Sequence, residues 1–451
     1  MSNNESKAVK RSRWSWYFYD FGNSAYASVI LLAVFSSYFK NVVVGGAEGT
    51  RLWGISVGIA AILVAVVSPI LGTIADSTKY KKKFLFFFTA LSVVFTALLF
   101  FVGEGEVMFG MIIFILAEIG YRGAQVFYDA LLSDVSTPEN IGAISGKGWA
   151  MGMVGGIVAL LFVLPIQLLG GPAMTPFAFL LTAAFFLISS IPTFIWVKEK
   201  QNSKELKKGE VALFVAFKKL AETFHSIKSY KEFVKYMLAY LIYNDGIMML
   251  MDFAAIIGGT LFGLGQVELI ILVVILQVAG AIGALFFGKN ADKIGSRSAT
   301  LYSLVILIVT IAGIFFIYPL DSGVTWFYVI GFFAGFSLSG AQAVSRSMVT
   351  QIAPPEKITE FYGFLSVAGR TSTFVGPLVF STLAFRMNNW YINNRFGDIP
   401  EANLTEEMVK TAEKYGVLWG IGSIVAFLII GSLLLLLVKS ASINHKSTSE
   451  K

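Results

Sequence analysis

Residues 84–102 read FLFFFTALSVVFTALLFFV, a stretch of nineteen positions without a charged side chain. A helix needs roughly 20 mostly apolar residues to cross the hydrocarbon core of a bilayer. Lys81, Lys82 and Lys83 come directly before the stretch, and basic residues cluster on the cytoplasmic side of membrane proteins. The stretch therefore predicts a transmembrane helix that begins at the cytoplasmic face.

Similar stretches recur along the whole chain. Hydrophobic residues make up 56% of the 451 positions and charged residues 14%, whereas soluble domains have roughly 25% charged residues. A bilayer accepts this much apolar surface because helices satisfy their own backbone there. The fold class is therefore an all-α membrane protein. The predicted spans are 14–38, 52–75, 84–102, 107–132, 142–168, 175–197, 233–260, 267–287, 298–319, 324–349, 361–385 and 414–439.

Lysine and arginine are distributed unevenly between the loops. The N-terminal segment, the loop between spans 2 and 3, the segment 198–235 and the loop between spans 8 and 9 are basic, whereas four loops on the opposite side have no Lys or Arg. The positive-inside rule then places both termini and the central segment in the cytoplasm, which requires an even number of spans. We expect a retained first helix and a bacterial plasma membrane.

The chain repeats itself at a nearly fixed offset. GTIAD at 72–76 recurs as GKNAD at 288–292, 216 residues later, and GAQ at 123–125 recurs at 340–342, 217 residues later. This pattern indicates two pseudo-symmetric six-helix bundles. In transporters built from such repeats, the substrate site lies at the repeat interface and access alternates as one half rocks against the other.

A polar segment separates the first six spans from the last six. Its apolar residues recur at helical spacing with lysines between them, which predicts either an amphipathic helix on the inner membrane surface or a solvated linker helix. On the other side, 387–413 is the longest loop, with a short helix over 404–413. The predicted units are an N-terminal bundle at 1–197, a cytoplasmic linker at 198–232, a C-terminal bundle at 233–439 and a cytoplasmic tail at 440–451.

The two loop motifs resemble the signature of the major facilitator superfamily, Gly-x-x-x-Asp followed by basic residues. The second copy keeps a later glycine, Gly295, where the first copy has Lys79. We expect Asp76 and Asp292 to fasten the halves in one state through charge-assisted hydrogen bonds, and not to contact substrate. The predicted gating residues are Gly72, Asp76, Lys79, Gly288, Asp292 and Arg297.

A narrower resemblance covers nearly the whole chain. WYFYDFGNSAYA at 16–27 resembles the YDWANSAY opening of the unknown-major-facilitator family. VFYDALLSDV at 126–135 resembles that family's VFYNALLPEIA, with Asp129 and Ser133 in place of Asn and Pro, and GWAMG at 148–152 also fits. The family includes fungal vacuolar effluxers that return amino acids to the cytosol. The resemblance therefore implies transport of an amino acid or a similar solute.

Span 4 carries a polar stripe. Glu118, Arg122, Gln125 and Asp129 are spaced so that all four lie on one helix face, and Glu118 and Arg122 can pair along the helix. Charged groups inside a membrane usually face a cavity or a partner. The stripe therefore either lines a substrate cavity or contains an ion pair that only locks span 4.

Span 1 offers a second polar group. Asp20, Asn23 and Ser24 share one side of the predicted helix, and Tyr26 follows them. Asp20 lies about 9 Å into the span at ~1.5 Å per residue. These side chains either contact substrate or serve helix packing, with Asp20 paired to a basic residue near the cytoplasmic face.

Span 7, the repeat partner of span 1, carries Asn244, Asp245 and Asp252. The two aspartates are candidates for proton or cation coupling, because removal from water disfavours the ionised carboxylate. In span 11, Arg370 could bind a substrate carboxylate or neutralise one of these aspartates. Gln342 in span 10 repeats Gln125 and completes the predicted cavity.

The residue inventory excludes several functions. The chain has no cysteine, and its two histidines fall in polar segments, so we expect no metal site, no cofactor and no enzyme activity. Gly148, Gly152 and Gly156 repeat every four residues, which predicts close helix packing and not a nucleotide-binding loop.

The sequence predicts a secondary active transporter that moves a small polar solute by alternating access, with protons as candidate coupling ions. The expected partners are the bilayer and the solute, with no nucleic acid, and the expected state is a monomer. An exporter of amphipathic drugs or lipids is the alternative within this architecture, since the chain has 41 Phe residues. A membrane sensor without transport is the alternative of a different class.

Overall fold

Long helices succeed one another along the chain. The computed structural model describes residues 7–77, 80–136, 141–199, 230–320, 323–352, 369, 373–400 and 403–439. The long helices are α1 (Lys7–Val44), α2 (Gly46–Ser77), α3 (Lys81–Leu98), α4 (Val107–Ala130), α5 (Ile141–Gly170), α6 (Thr175–Trp196), α7 (Lys231–Phe262), α8 (Gln266–Ile294), α9 (Ser296–Ile317), α10 (Gly323–Ile352), α11 (Val375–Arg395) and α12 (Glu406–Leu436).

Within the described residues, eleven of these helices are long and apolar enough to cross a membrane. The remaining one, α11, covers only the last part of predicted span 361–385, and most of 361–372 lies outside the described residues. The prediction of an all-α membrane protein with about twelve transmembrane helices is confirmed. The linker residues 200–229 and the tail 440–451 also lie outside the described residues, so their boundaries stay predictions.

Helix α1 differs from its predicted span at 14–38. It begins at Lys7, ends at Val44 and contains two π-helical segments, Tyr26–Ala33 and Phe39–Val44. Hydropathy marks only the apolar part of a helix, so it missed both ends. A π segment widens the turn and is frequent at functional sites.

We call the end of the molecule at which α1 ends the far end, and the opposite end the near end.

The segment predicted as a long loop at 387–413 is mostly helical. Helix α11 continues to Arg395, and α12 begins at Glu406, where the Thr405 hydroxyl caps it by accepting a hydrogen bond from Met408 N at 3.3 Å. The prediction of a separate short helix over 404–413 is wrong, because no proline interrupts the helix between Glu406 and Leu436. Residues 406–413 are instead the first turns of α12.

The helices pack as two bundles that meet along a central seam. In the first half, α1 packs against α5 and α6, and α3 packs against α4; in the second, α8 packs against α10, and α7 packs against α12. Across the seam, α2 packs against α11, α5 packs against α8, and the first π segment of α1 packs against α7. The polar side chains of α1, α4 and α7 are thereby brought towards one region.

The glycines of α5 permit its close approach to α1. A Cβ atom added at Gly148 would lie 2.5 Å from the Trp16 ring, and one at Gly155 would lie 2.0 Å from the Phe21 carbonyl oxygen. Added Cβ atoms at Gly152 and Gly156 would lie 2.8 Å from Ser24 Oγ and 2.4 Å from Ser28 Oγ, both on α1. The predicted packing role of Gly148, Gly152 and Gly156 is therefore confirmed, and Gly155 shares it. This close packing of α5 on α1 matters for the site because it holds the polar side chains of α1 in position relative to the other helices of the first half.

Replacement of Gly155 by valine should separate α1 from α5. The added side chain meets backbone, which cannot move aside as a flexible side chain can, so we expect the free energy of unfolding to fall by about 1–3 kcal/mol. Thermal unfolding in detergent micelles measures this. Gly422→Val is the matched control, because a Cβ atom at Gly422 meets nothing within 4 Å. Equal unfolding temperatures for the two variants would contradict this account of the packing.

Candidate functional site

The polar stripe of α4 points away from the face that packs on α3. A Cβ atom at Gly120 would lie 2.4 Å from Ser92 N, and one at Gly123 would lie 2.5 Å from the Phe88 ring. These small residues hold α3 against one side of α4. Glu118 and Arg122 lie on the opposite side, because they are offset from the glycines by about half a turn at ~3.6 residues per turn.

Glu118 and Arg122 form the predicted ion pair. Arg122 Nε donates a hydrogen bond to Glu118 Oε1. The Glu118 side chain is completely buried, and the Arg122 side chain is 18% exposed. A fully buried carboxylate requires a positive partner, and Arg122 supplies it from the next turn of the same helix.

Asp252 on α7 faces this pair from the other half. Its side chain is buried and interacts electrostatically with both Arg122 and Glu118. Its main-chain carbonyl accepts a hydrogen bond from Trp53 Nε1 at 2.8 Å, which fixes α7 against α2. The structure therefore brings together predicted site residues from spans 4 and 7 across the seam.

Tyr26 joins the same group from α1. Its ring stacks on Tyr121 with centroids 4.6 Å apart, and its hydroxyl lies in electrostatic range of Glu118. Tyr26 opens the first π segment of α1, so the widened turn begins where α1 meets the charged group.

Asp245 extends the group along α7. Asp245 and Asn244 are both buried, and Asp245 interacts electrostatically with Asp252. In the part of the chain that the structure describes, Asp245 Oδ1 has no hydrogen-bond partner. We call Glu118, Arg122, Asp245 and Asp252 the central charge cluster.

The other predicted residues of α1 face α5. A Cβ atom at Gly152 would lie 2.8 Å from both Asp20 Oδ2 and Ser24 Oγ, and Asn23 is buried. Asp20 and Ser24 therefore lie where α1 meets α5, and both hypotheses for their role stay predictions. Asp20 also interacts electrostatically with Tyr121 and Tyr128 on α4, so it is near the helix on which Tyr26 stacks.

The remaining predicted cavity residues lie on α4, on α10 and outside the described residues. Gln125 is half-buried and interacts with Tyr121. Asp129 is exposed, and Gln342 is half-buried on α10. Arg370 lies outside the described residues, so its proposed carboxylate contact stays a prediction.

The gating motifs are described only in part. The surroundings of Gly72, the side chains of Asp76 and Asp292, and the whole of Lys79 lie outside the described part of the chain. A Cβ atom at Gly288 would meet nothing within 4 Å. In the second copy, Gly295 adopts φ +85° at the α8–α9 turn, a conformation that favours glycine.

Arg297 follows that turn, and its guanidinium donates to the carbonyls of Leu435 and Leu436. These carbonyls end α12, where a cation complements the helix dipole. Arg297 therefore ties α9 to α12 within the second half.

Sequence reasoning missed a polar bridge between the halves. Gln277 on α8 donates through Nε2 to Ser28 Oγ on α1 at 3.2 Å, and a Cβ atom at Gly156 would lie 2.5 Å from Gln277 Oε1. The available signal was an amide in the otherwise apolar middle of span 8. Gln277 carries no charge, so it lacks the signal that marks the other candidate residues.

The chain is similar to a known protein family and to several transporters. Residues 52–396 match the family described as "Vacuole effluxer Atg22 like". An uncharacterized MFS-type transporter, YxiO, of Bacillus subtilis is 30% identical over 391 residues, which cover 84% of this chain and 89% of YxiO. Autophagy-related protein 22 of Yarrowia lipolytica is 22% identical over 301 residues, which cover 60% of this chain and 50% of that protein.

Solved structures share the fold. A bacterial homolog of the human lysosomal transporter Spinster, in an inward-facing and unoccupied conformation, superposes with a TM-score of 0.73 at 15% identity, covering 96% of this chain and 98% of that chain. A mutant form of the nucleoside transporter NupG gives a TM-score of 0.68 at 14% identity, covering 94% of this chain and 99% of that chain. These identities establish the fold alone.

The Glu118–Arg122 pair should behave as a coupled unit. Arg122→Gln leaves buried carboxylates without their cation, so we expect the free energy of unfolding to fall by about 3–5 kcal/mol. Glu118→Gln combined with Arg122→Gln should cost less than the sum of the single changes by about 1–3 kcal/mol. Unfolding of the three variants in detergent micelles measures this coupling.

The control is the Glu48–Arg51 pair on α2, whose side chains are 40% and 35% exposed. Because solvent screens that pair, the same cycle of glutamine substitutions should give a coupling of at most about 1 kcal/mol. If the changes in the free energy of unfolding at Glu118 and Arg122 simply add, the two side chains do not neutralise each other, and this account of the pair is contradicted.

Proposed function

The chain belongs to the family of Atg22-like vacuole effluxers and is an integral membrane transporter of the major facilitator type, and we propose that it moves a small polar solute, such as an amino acid, by alternating access. Its relatives are transporters, so the proposal concerns the solute, the coupling ion and the direction in which the molecule faces. The amino-acid expectation also draws on the motifs in spans 1, 4 and 5 that resemble vacuolar effluxers.

The observation that carries the proposal is the mixed charge of the central charge cluster. One guanidinium, Arg122, pairs with Glu118 and interacts with Asp252, and Asp252 in turn interacts with Asp245. A zwitterion offers a carboxylate to the guanidinium and an ammonium group to the acidic side chains, both as charge-assisted hydrogen bonds. A purely apolar solute would leave these buried charges without compensation, which disfavours an exporter of amphipathic molecules.

The position of the cluster suits alternating access. Arg122 belongs to the first half and Asp252 to the second, so any rocking of the halves changes the distance between their charges. A solute bound between the two side chains would then be held when the halves are close at this level and released when they separate. The basic loops support a cytoplasmic position for both termini. We also propose that the protein is a monomer and that it lies in a bacterial plasma membrane.

Protons are the proposed coupling ions. Asp245 and Asp252 are both buried, and two neighbouring carboxylates inside a membrane repel each other when both are ionised. Protonation of one of them would relieve that repulsion when the solute leaves. The solute ammonium group and the proton would thus alternate: the ammonium group would pair with one of the two aspartates in one state, and a proton would neutralise that aspartate in the other.

Counterflow in proteoliposomes tests the proposal. Vesicles loaded with unlabelled amino acids should take up labelled members of the mixture, and an imposed pH gradient should change the rate. Arg122→Lys keeps the charge but removes the planar fork that binds a carboxylate through two hydrogen bonds. We expect uptake by this variant to fall by about tenfold or more.

Arg395→Lys is the matched control. Arg395 is exposed at the end of α11, so this substitution should leave uptake unchanged. Full uptake by Arg122→Lys would remove the guanidinium from solute recognition. No uptake of any amino acid by vesicles that contain folded protein would overturn the proposed solute class.

A further inference from the structure

A second ion pair joins the two halves at the far end. Lys40 Nζ lies 3.0 Å from Glu413 Oε2 on α12 and donates a further hydrogen bond to Thr260 Oγ1 on α7, also at 3.0 Å. The Lys40 and Glu413 side chains are only 6% and 11% exposed. Lys40 belongs to the first half, and both of its partners belong to the second.

Two glycines of the first half make room for this contact. A Cβ atom at Gly49 would lie 2.5 Å from the Lys40 carbonyl oxygen, and one at Gly46 would lie 3.1 Å from Glu413 Oε1. Gly46 also adopts φ +57°, which favours glycine. The turn between α1 and α2 is therefore shaped around the ion pair.

The Lys40–Glu413 pair is the last of a series of contacts between the halves along α1. Ser28 bonds to Gln277, the Val34 carbonyl accepts from Gln266 Nε2 at 3.3 Å, and Lys40 then reaches Thr260 and Glu413. Along α1, these contacts run from its middle to its far end. They hold the far ends of the halves together in this conformation.

A buried ion pair is a poor source of static stability. The cost of removing both charges from water roughly cancels their attraction. If the halves separate at the far end, water reaches both charges and repays most of that cost. An ion pair that is dry when the end is closed and hydrated when it is open therefore separates at low net cost, whereas removal of one partner leaves a buried charge that favours opening.

We propose that Lys40, Thr260 and Glu413 are gating residues, which we call the far-end latch, and that they hold the far end closed until the halves rock. This inference rests on the proposed alternating access. It also gives a role to the segment that follows α11, because the first turns of α12 carry Glu413 to its partner. Opening replaces the ion pair and the Thr260 hydrogen bond with water on both sides.

A single reporter cysteine tests the latch. The chain has no cysteine of its own, so Ser37→Cys introduces a unique thiol. Ser37 is 4% exposed and lies one turn before Lys40, in the part of α1 that packs against α7. A charged maleimide added to the full chain in lipid nanodiscs should label this thiol only when the far end opens.

We expect Glu413→Gln to raise the labelling rate about tenfold, because Lys40 is then buried without its counter-charge. The exchanged pair Lys40→Glu with Glu413→Lys should return the rate towards that of the parent. Glu406→Gln is the matched control: it removes the same charge from the same helix, but Glu406 is 82% exposed and pairs with an exposed lysine, so labelling should not change.

Equal labelling rates for Glu413→Gln, Glu406→Gln and the parent would overturn the latch. If Glu413→Gln does not give folded protein, Thr260→Val replaces it, with an expected rise of about twofold from the loss of one hydrogen bond, and an unchanged rate overturns the latch equally. The assay needs no solute. Failure of amino-acid counterflow would therefore overturn the proposed solute and leave the latch standing, and unchanged labelling would do the reverse.

Discussion

A carboxylate inside a bilayer must be neutralised, and in this protein the rest of the site depends on how that is done for Glu118. Its side chain is completely buried, and Arg122 on the same helix supplies the counter-charge. Because both partners belong to α4, their contact does not require the halves to touch. The facing carboxylate of Asp252 does come from the other half. Motion along the seam therefore changes the electrostatic environment of Arg122 without exposing Glu118 as an unpaired charge.

The structure separates recognition from closure along the axis of α1. Near its middle, the π segment places Tyr26 beside Glu118 and Ser28 beside Gln277. At its far end, Lys40 contacts Glu413. π-helical turns are frequent at functional sites, and α1 has one such segment at each of the two places. On the proposed cycle, binding at the central charge cluster and opening of the far end are coupled through this one helix.

The sequence allowed prediction of what depends on spacing within one helix. The offset of four between Glu118 and Arg122 predicted their contact, and the four-residue glycine spacing predicted the packing of α5. Contacts between the halves could not be obtained in this way, because no local spacing relates Arg122 to Asp252 or Lys40 to Glu413. Hydropathy also placed Glu413 in a loop. The first turns of α12 are helical but polar, and hydropathy detects only apolar segments. Spacing could not decide the role of Asp20, because its neighbours, Gly152 on α5 and the tyrosines of α4, come from other helices.

Distances at the two ends of the molecule test the central claim, that the halves rock about the charge cluster, most directly. Because the chain has no cysteine, spin labels can be attached to the exposed pair Glu104→Cys and Asp398→Cys at the far end and, separately, to Lys10→Cys and Lys293→Cys at the near end. Double electron–electron resonance in nanodiscs, with and without amino acid, then gives both distance distributions. The account predicts two populations in which one end widens as the other narrows. A single distribution at each end, or changes in the same direction, would contradict it.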